Sequence, residues 1–216
     1  CALPISLWPL TGPLSPPANT TVAARPIANL TFAVNVALAG GTADLTGYHA
    51  FNLLIHLLTA LGLFGVVRRT LLTPPLRARF GGASAAVAFA VAAIWSAHPL
   101  HTQAVTFLAQ RVESLMGFFY VATLYCAIRA AETDFRNTQW MAGSIGACAL
   151  GMATKETMIT APVMVTLWTW TCRPDLTLTG KPRTLLLALA ATMAIAVLLA
   201  TSGSRSASAD RKSTRL

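Results

Sequence analysis

Residues 48–69 read YHAFNLLIHLLTALGLFGVVRR. A predominantly apolar stretch, roughly Ala50 to Val67, runs from His49 to the pair Arg68-Arg69. A helix that crosses a bilayer needs about 20 mostly apolar residues, and this stretch predicts one. His49, Asn52 and His56 follow i, i+3, i+7, which sets them on one face of that helix, with His56 about two turns inside the span. Lipid satisfies no polar group, so such a face turns toward a bundle interior or a watery cavity. Two readings stay open for it: buried hydrogen bonds between helices, or a stripe facing a substrate.

The rest of the chain fits the same solvent. Hydrophobic residues make up 55% and charged residues 11%, and mean hydropathy is +0.60, whereas a soluble domain carries roughly a quarter charged residues. The predicted class is all-α: a polytopic helix bundle of about six transmembrane helices plus one interfacial helix. The interfacial helix is Arg25-Pro26 to Ala39, about 14 residues and too short to span. After Ala50–Val67, the further spans are predicted at about Gly82–Ala97, Ser114–Ile128, Trp140–Thr154, Thr157–Thr171 and Thr184–Ala200. Residues 1–21 read as a proline-rich irregular loop, 22–200 as the multispan domain, and 201–216 as a disordered or non-native tail. The chain starts at Cys1 and shows no signal-peptide pattern, so a missing N-terminal segment is expected.

The net charge of +9 does not indicate nucleic acid, because the cations lie in short clusters between spans and form no single stripe. Arg68, Arg69, Arg77 and Arg79, then Arg129 and Arg136, then Arg173, Lys181 and Arg183 fall in alternate loops. The positive-inside rule makes those loops cytoplasmic. The opposite ends hold Arg25, Arg111 and Lys155 together with His49, Asn52, His56, His98, His101, Glu113 and Glu156. Cys1, Cys126, Cys148 and Cys172 have no CxxC spacing and read as small hydrophobes.

Three features at that opposite end carry chemistry. His98-Pro99-Leu100-His101 could present two imidazoles to one side, but with no HExxH pattern and no cysteine partner a zinc site is not called. Arg111 at a membrane boundary suits either bidentate capture of a phosphate or an anchoring role. Lys155-Glu156 is the only charge between Trp140 and Cys172, and reads as a structural ion pair or as part of a site. Their coincidence at one end favours a site.

Arg25-Pro26, Tyr48-His49…Asn52…His56, His98-Pro99…His101-Thr102…Ala104-Val105, Gln110-Arg111…Glu113 and Gly151-Met152…Lys155-Glu156 occur in that order. In this pattern, over roughly 22–172, the chain resembles the membrane domain of protein O-mannosyltransferase-like enzymes. These are GT-C glycosyltransferases, and the branch it resembles carries C-terminal tetratricopeptide repeats.

The resemblance implies an inverting hexosyltransferase in the bilayer. It would move a mannose-like sugar from a polyprenyl-phosphate donor to a protein or glycan hydroxyl at the non-cytoplasmic face. It implies donor-phosphate contacts at Arg111, Lys155 and His101, and polar substrate-face positions at His49, Asn52, His56, His98, Glu113 and Glu156, with the lipid-linked sugar as donor; the residues themselves assign no metal ligand and leave a divalent metal as the less favoured alternative. The family's acidic base belongs to a loop expected upstream of Cys1, and Gln103 stands where an acid is common. This piece is therefore expected to be an inactive fragment. The Ala- and Arg-rich composition suggests a bacterial inner membrane with the site facing the periplasm. Alternatives are a transporter or flippase, or a non-catalytic anchor for a repeat domain.

Overall fold

The computed structural model of the chain describes residues 14, 25–39, 45–174, 183–192 and 194. The expected proline-rich loop (apart from Leu14), the tail, Lys181 and the end of the sixth expected span lie outside these residues. The described residues are helical throughout, with short turns between helices. In chain order they form α1 (Pro26–Ala39), α2 (Thr46–Leu71), α3 (Pro74–Phe80), α4 (Ser84–Ala97), α5 (Thr102–Thr106), α6 (Arg111–Glu132), α7 (Thr138–Met152) and α8 (Ala161–Cys172). A shorter apolar helix, α9, covers Arg183–Thr192.

The boundaries follow backbone chemistry. Proline lacks an N–H, which costs nothing in a helix's first turn, and Pro74 and Pro75 open α3 while Pro162 sits in the first turn of α8. The residue before a proline avoids helical dihedrals. His98, ahead of Pro99, accordingly turns extended (φ −66°, ψ 130°) and ends α4. Asn137 caps α7 by accepting the Gln139 N–H at 3.0 Å. Between α6 and α7 the chain reverses through Asp134 (φ 47°) and Phe135 (φ 57°). Left-handed dihedrals cost a non-glycine residue about 1 kcal/mol or more. Two interactions offset that: the Phe135 N–H donates to Ala130 O at 2.8 Å, and the Phe135 ring is buried in the core with Ala131, Cys148, Met158 and Leu189.

Among the described residues three helical stretches are long and apolar enough to cross a membrane: Thr46–Leu71, Pro74–Ala97 (α3 and α4 joined through a short 3-10 turn) and Arg111–Glu132. Each is longer than the apolar run that predicted it, because helical hydrogen bonds continue through polar residues that hydropathy does not count. The fourth and fifth expected spans are shorter. α7 has 15 residues, and α8 has 12 after a five-residue 3-10 turn. At 1.5 Å per residue they reach about 22 and 18 Å, short of a hydrocarbon core of about 30 Å. The described residues thus form a helical membrane bundle with three helices of spanning length, and the sixth expected span lies partly outside them.

α6 lies between α2 and α7, and α2 between α4 and α6. Between helices in lipid the hydrophobic effect offers little, so close packing by small residues must hold them. A Cβ on Gly62 would come 2.7 Å from Val121 Cγ1, and one on Gly65 would come 2.6 Å from Tyr125 Cε2. Glycine is what lets α2 and α6 approach. Across the other face of α6, the buried Ser144 hydroxyl donates to Thr123 O at 3.0 Å and ties α7 down.

This packing keeps the two chemical ends apart. At one, Arg69 and Arg129 share Glu132, and Arg173 pairs with Asp134. At the other, α6 begins with Arg111 and carries Glu113 in its first turn. About 28 Å of helix separates Glu113 from Glu132. The sorting of residues expected from alternating loops is reproduced by contacts between helices.

Gly65→Leu should destabilise the bundle by about 1–3 kcal/mol, the usual cost of overpacking. Gly146→Ala, where a Cβ meets nothing within 4 Å, should be neutral or slightly stabilising. Thermal unfolding in detergent micelles reads both, and equal behaviour of the two would contradict the close approach.

Candidate functional site

The first side chain of α6, Arg111, is fully buried, at 0% exposure. A guanidinium there has lost its water and sits at the positive end of a helix dipole, so it must find acceptors. It finds them on two other segments. Nε donates to Asn52 Oδ1 at 2.8 Å and Nη2 to Tyr48 O at 3.1 Å, both from α2. Nη1 donates to Asn35 Oδ1 at 2.5 Å and Thr31 O at 3.3 Å, both from α1. Three rings complete the cage, with the guanidinium carbon 4.4 Å from the Phe32 centroid, 4.9 Å from Phe51 and 5.4 Å from Tyr48. Among the described residues it has no carboxylate partner; oxygen dipoles and aromatic faces hold the charge. α1, expected as an interfacial helix, is docked on the bundle through this residue.

The predicted face of α2 is real, and its polar groups are joined to other helices. Asn52 is fully buried. It accepts from Arg111 through Oδ1 and donates through Nδ2 to Val105 O at 3.4 Å. Nδ1 of His49 lies 3.2 Å from the same carbonyl, a bond that puts the ring proton on Nδ1. Nε2 of His56 donates to Ser96 O at 3.0 Å, and its ring stacks on Trp95 at 5.0 Å. Of the two readings left open, interhelical hydrogen bonding describes all three residues. His101 packs against Trp95 at 4.4 Å and lies 5.7 Å from His56. His98 Nδ1 accepts the Leu100 N–H at 3.3 Å and shapes the turn.

Lys155 follows the end of α7, and its Nζ pairs with Glu113 Oε1, two residues after Arg111 in the same first turn of α6. Glu113, expected on the substrate face, holds Lys155. Glu156 is exposed and opens the next 3-10 turn; Gln103 is exposed as well. Among the described residues no group of three or more His, Cys, Asp or Glu could hold a metal.

Beside this end lies a cavity of about 380 Å³ lined by Thr59, Leu63, Trp95, Met116, Tyr120 and Thr160, among others. Its walls are largely apolar. Thr157, two residues after Lys155, and Met116, three after Glu113, both line it, and Trp95 joins it to His101. Nothing in the composition announced this chamber. Asn35 was also missed as a partner of Arg111, although an asparagine inside an apolar 14-residue helix was a signal that it needed one.

Burial and the neighbouring His56 and His98 lower the His101 pKa from its ordinary 6.5. A lowered folded pKa means the unfolded chain binds the proton better. The stability linked to His101 is therefore complete above about 6.5 and is lost as pH falls through the folded value.

No protein-family model and no solved structure matches the chain. Over 150 residues it is 32% identical to the protein O-mannosyl-transferase Tmtc2 of Drosophila melanogaster, across 67% of this chain and 14% of that protein. It is 32% identical over 151 residues to the protein O-mannosyl-transferase Tmtc3 of the same organism, across 63% and 16%. With the human protein O-mannosyl-transferase TMTC2 it shares 29% over 140 residues, across 63% and 15%. The chain spans about a seventh of the length of these curated relatives. The matches support the expected resemblance to protein O-mannosyltransferases. All three are animal proteins, so they lend no support to a bacterial inner membrane or a periplasmic face.

Arg111→Met should cost at least about 2 kcal/mol, because it strands two buried asparagine side chains and two carbonyls, whereas Lys155→Met should cost under about 1 kcal/mol at its partly exposed ion pair. Midpoints of thermal unfolding give the comparison. The same midpoint should fall between pH 6.5 and pH 5 in the parent, and His101→Gln should flatten that slope.

Proposed function

We propose that this chain forms the donor-binding part of a membrane hexosyltransferase of the GT-C type. In this reading the donor is a mannose-like sugar on a polyprenyl phosphate. The sugar is delivered to a protein or glycan hydroxyl at the end of the bundle opposite the arginine clusters, the non-cytoplasmic face. The observation that carries the reading is the Lys155–Glu113 ion pair, whose near sequence neighbours Thr157 and Met116 line an apolar chamber, taken with the likeness to protein O-mannosyl-transferases.

A lipid-linked sugar is an amphiphile, and the site has matching parts. The chamber between Leu63, Met116 and Tyr120 takes the proximal isoprenoid units. Lys155 Nζ takes the phosphate and stabilises the charge that grows on it as the sugar–oxygen bond breaks. His101, held against Trp95, supplies a second N–H to the same phosphate. Glu113 orients Lys155.

Arg111 acts differently from the direct phosphate contact expected of it. Four of its five N–H donors already have protein acceptors, and a phosphate would have to displace them. Its role in this reading is to fix the position of α6, and with it Glu113. The base that deprotonates the acceptor is assigned to no residue of this chain, since Glu113 is occupied and Gln103 cannot serve.

In lipid nanodiscs the chain should bind polyprenyl-phosphate-mannose, and Lys155→Met should weaken that binding at least about tenfold, in the range of one charge-assisted bond. Unphosphorylated polyprenol should bind no better to the parent than to the variant. Equal affinity of parent and variant for the phosphorylated donor would overturn the assignment.

A further inference from the structure

A second concavity lies at the arginine end, outside the chamber just described. It has a volume of about 430 Å³ and is lined by Leu61, Gly62, Phe64, Gly65, Arg68, Arg69 and Tyr125. It exists because Gly62 and Gly65 bring α2 against α6 with no side chain in the seam. Leu61, Phe64 and Arg68 follow one face of α2 at i, i+3 and i+7. Leu61 is 66% exposed, so the trough opens sideways along the apolar part of the span.

The two arginines differ. Arg69 Nη1 is 2.7 Å from both oxygens of Glu132, its Nη2 reaches the Tyr125 hydroxyl at 3.5 Å, and its guanidinium lies over the Tyr125 ring. Arg129 shares the same Glu132. Two arginines thus share one carboxylate, and Arg68, one residue before Arg69, is exposed with no ion pair among the described residues.

We propose that this trough is a binding site for one anionic phospholipid, with its phosphate on Arg68 and one acyl chain laid along Leu61, Phe64 and Tyr125. The charge left over from Glu132 selects an anion. The apolar trough, about 10 Å along the helix from Leu61 to Arg68, selects one with a hydrocarbon tail. Basic pockets between membrane helices recognise anionic headgroups by this combination. Free phosphate satisfies only the first condition and a zwitterionic lipid only the second.

The full chain, delipidated in a neutral detergent, is titrated with phosphatidylglycerol, with phosphatidylcholine of the same acyl chains, and with inorganic phosphate. Binding is read by native mass spectrometry. Phosphatidylglycerol should bind roughly fivefold tighter than phosphatidylcholine, the pull of about one interfacial arginine. Arg68→Gln should abolish that preference, and Leu61→Trp, which fills the trough, should weaken both lipids. Arg77→Gln, on an exposed arginine of α3 outside the trough, should change neither. Three results would overturn the site: preference unchanged in Arg68→Gln, an equal loss in Arg77→Gln, or inorganic phosphate competing as well as the lipid. The donor site at the other end is unaffected by any of them, since no residue is shared.

Discussion

A guanidinium with no exposed surface holds one end of this bundle together. Arg111 draws Thr31 and Asn35 of α1 and Tyr48 and Asn52 of α2 onto the first turn of α6. A buried cation is expensive, and here its cost is offset by oriented carbonyl and amide oxygens and three ring faces, with no opposite charge. The geometry is therefore specific: loss of any acceptor leaves an unsatisfied charge. Glu113 lies two residues further on and takes its position from the same turn, so the ion pair with Lys155 and the link from α7 to α8 depend on Arg111 without touching it.

The far end is organised by different means. Glycines and small residues set the helix spacing along the span, and Glu132 gathers two arginines where the helices finish. One end is locked by buried dipoles around a single charge and the other by exposed ion pairs, which contribute little to stability in water. An enzyme of the proposed kind has use for such a division: a rigid end to position a phosphate, and an end open to lipid headgroups.

Much of this was legible in the chain and some was not. The stretch from about Ala50 to Val67 predicted a span, with His49, Asn52 and His56 on one polar face, and the structure keeps both, because hydropathy and helical spacing are local properties. Partners were illegible. Glu113 and Lys155 stand 42 residues apart, and no local spacing shows that they pair. Asn35 went unnoticed because a single asparagine has no period. α7 and α8 were expected as full spans from their composition, but Gly, Ala and Ser make a stretch apolar without telling where its helix starts and stops.

By itself the sequence determined an all-helical, lipid-adapted chain, the segregation of the Arg and Lys loop clusters from the positions of His49, Asn52, His56, His98, His101, Arg111, Glu113, Lys155 and Glu156, and the motif order that resembles protein O-mannosyltransferases. These follow from composition and from the 3.6-residue period, which act over neighbouring residues. Only the tertiary structure decided that Arg111 is an internal clamp, that His49 and Asn52 bond one carbonyl on α5, and that an apolar chamber opens between α2, α4 and α6. Burial and hydrogen-bond satisfaction belong to the assembled helices: a guanidinium at a helix start reads the same in sequence whether water or four protein oxygens surround it.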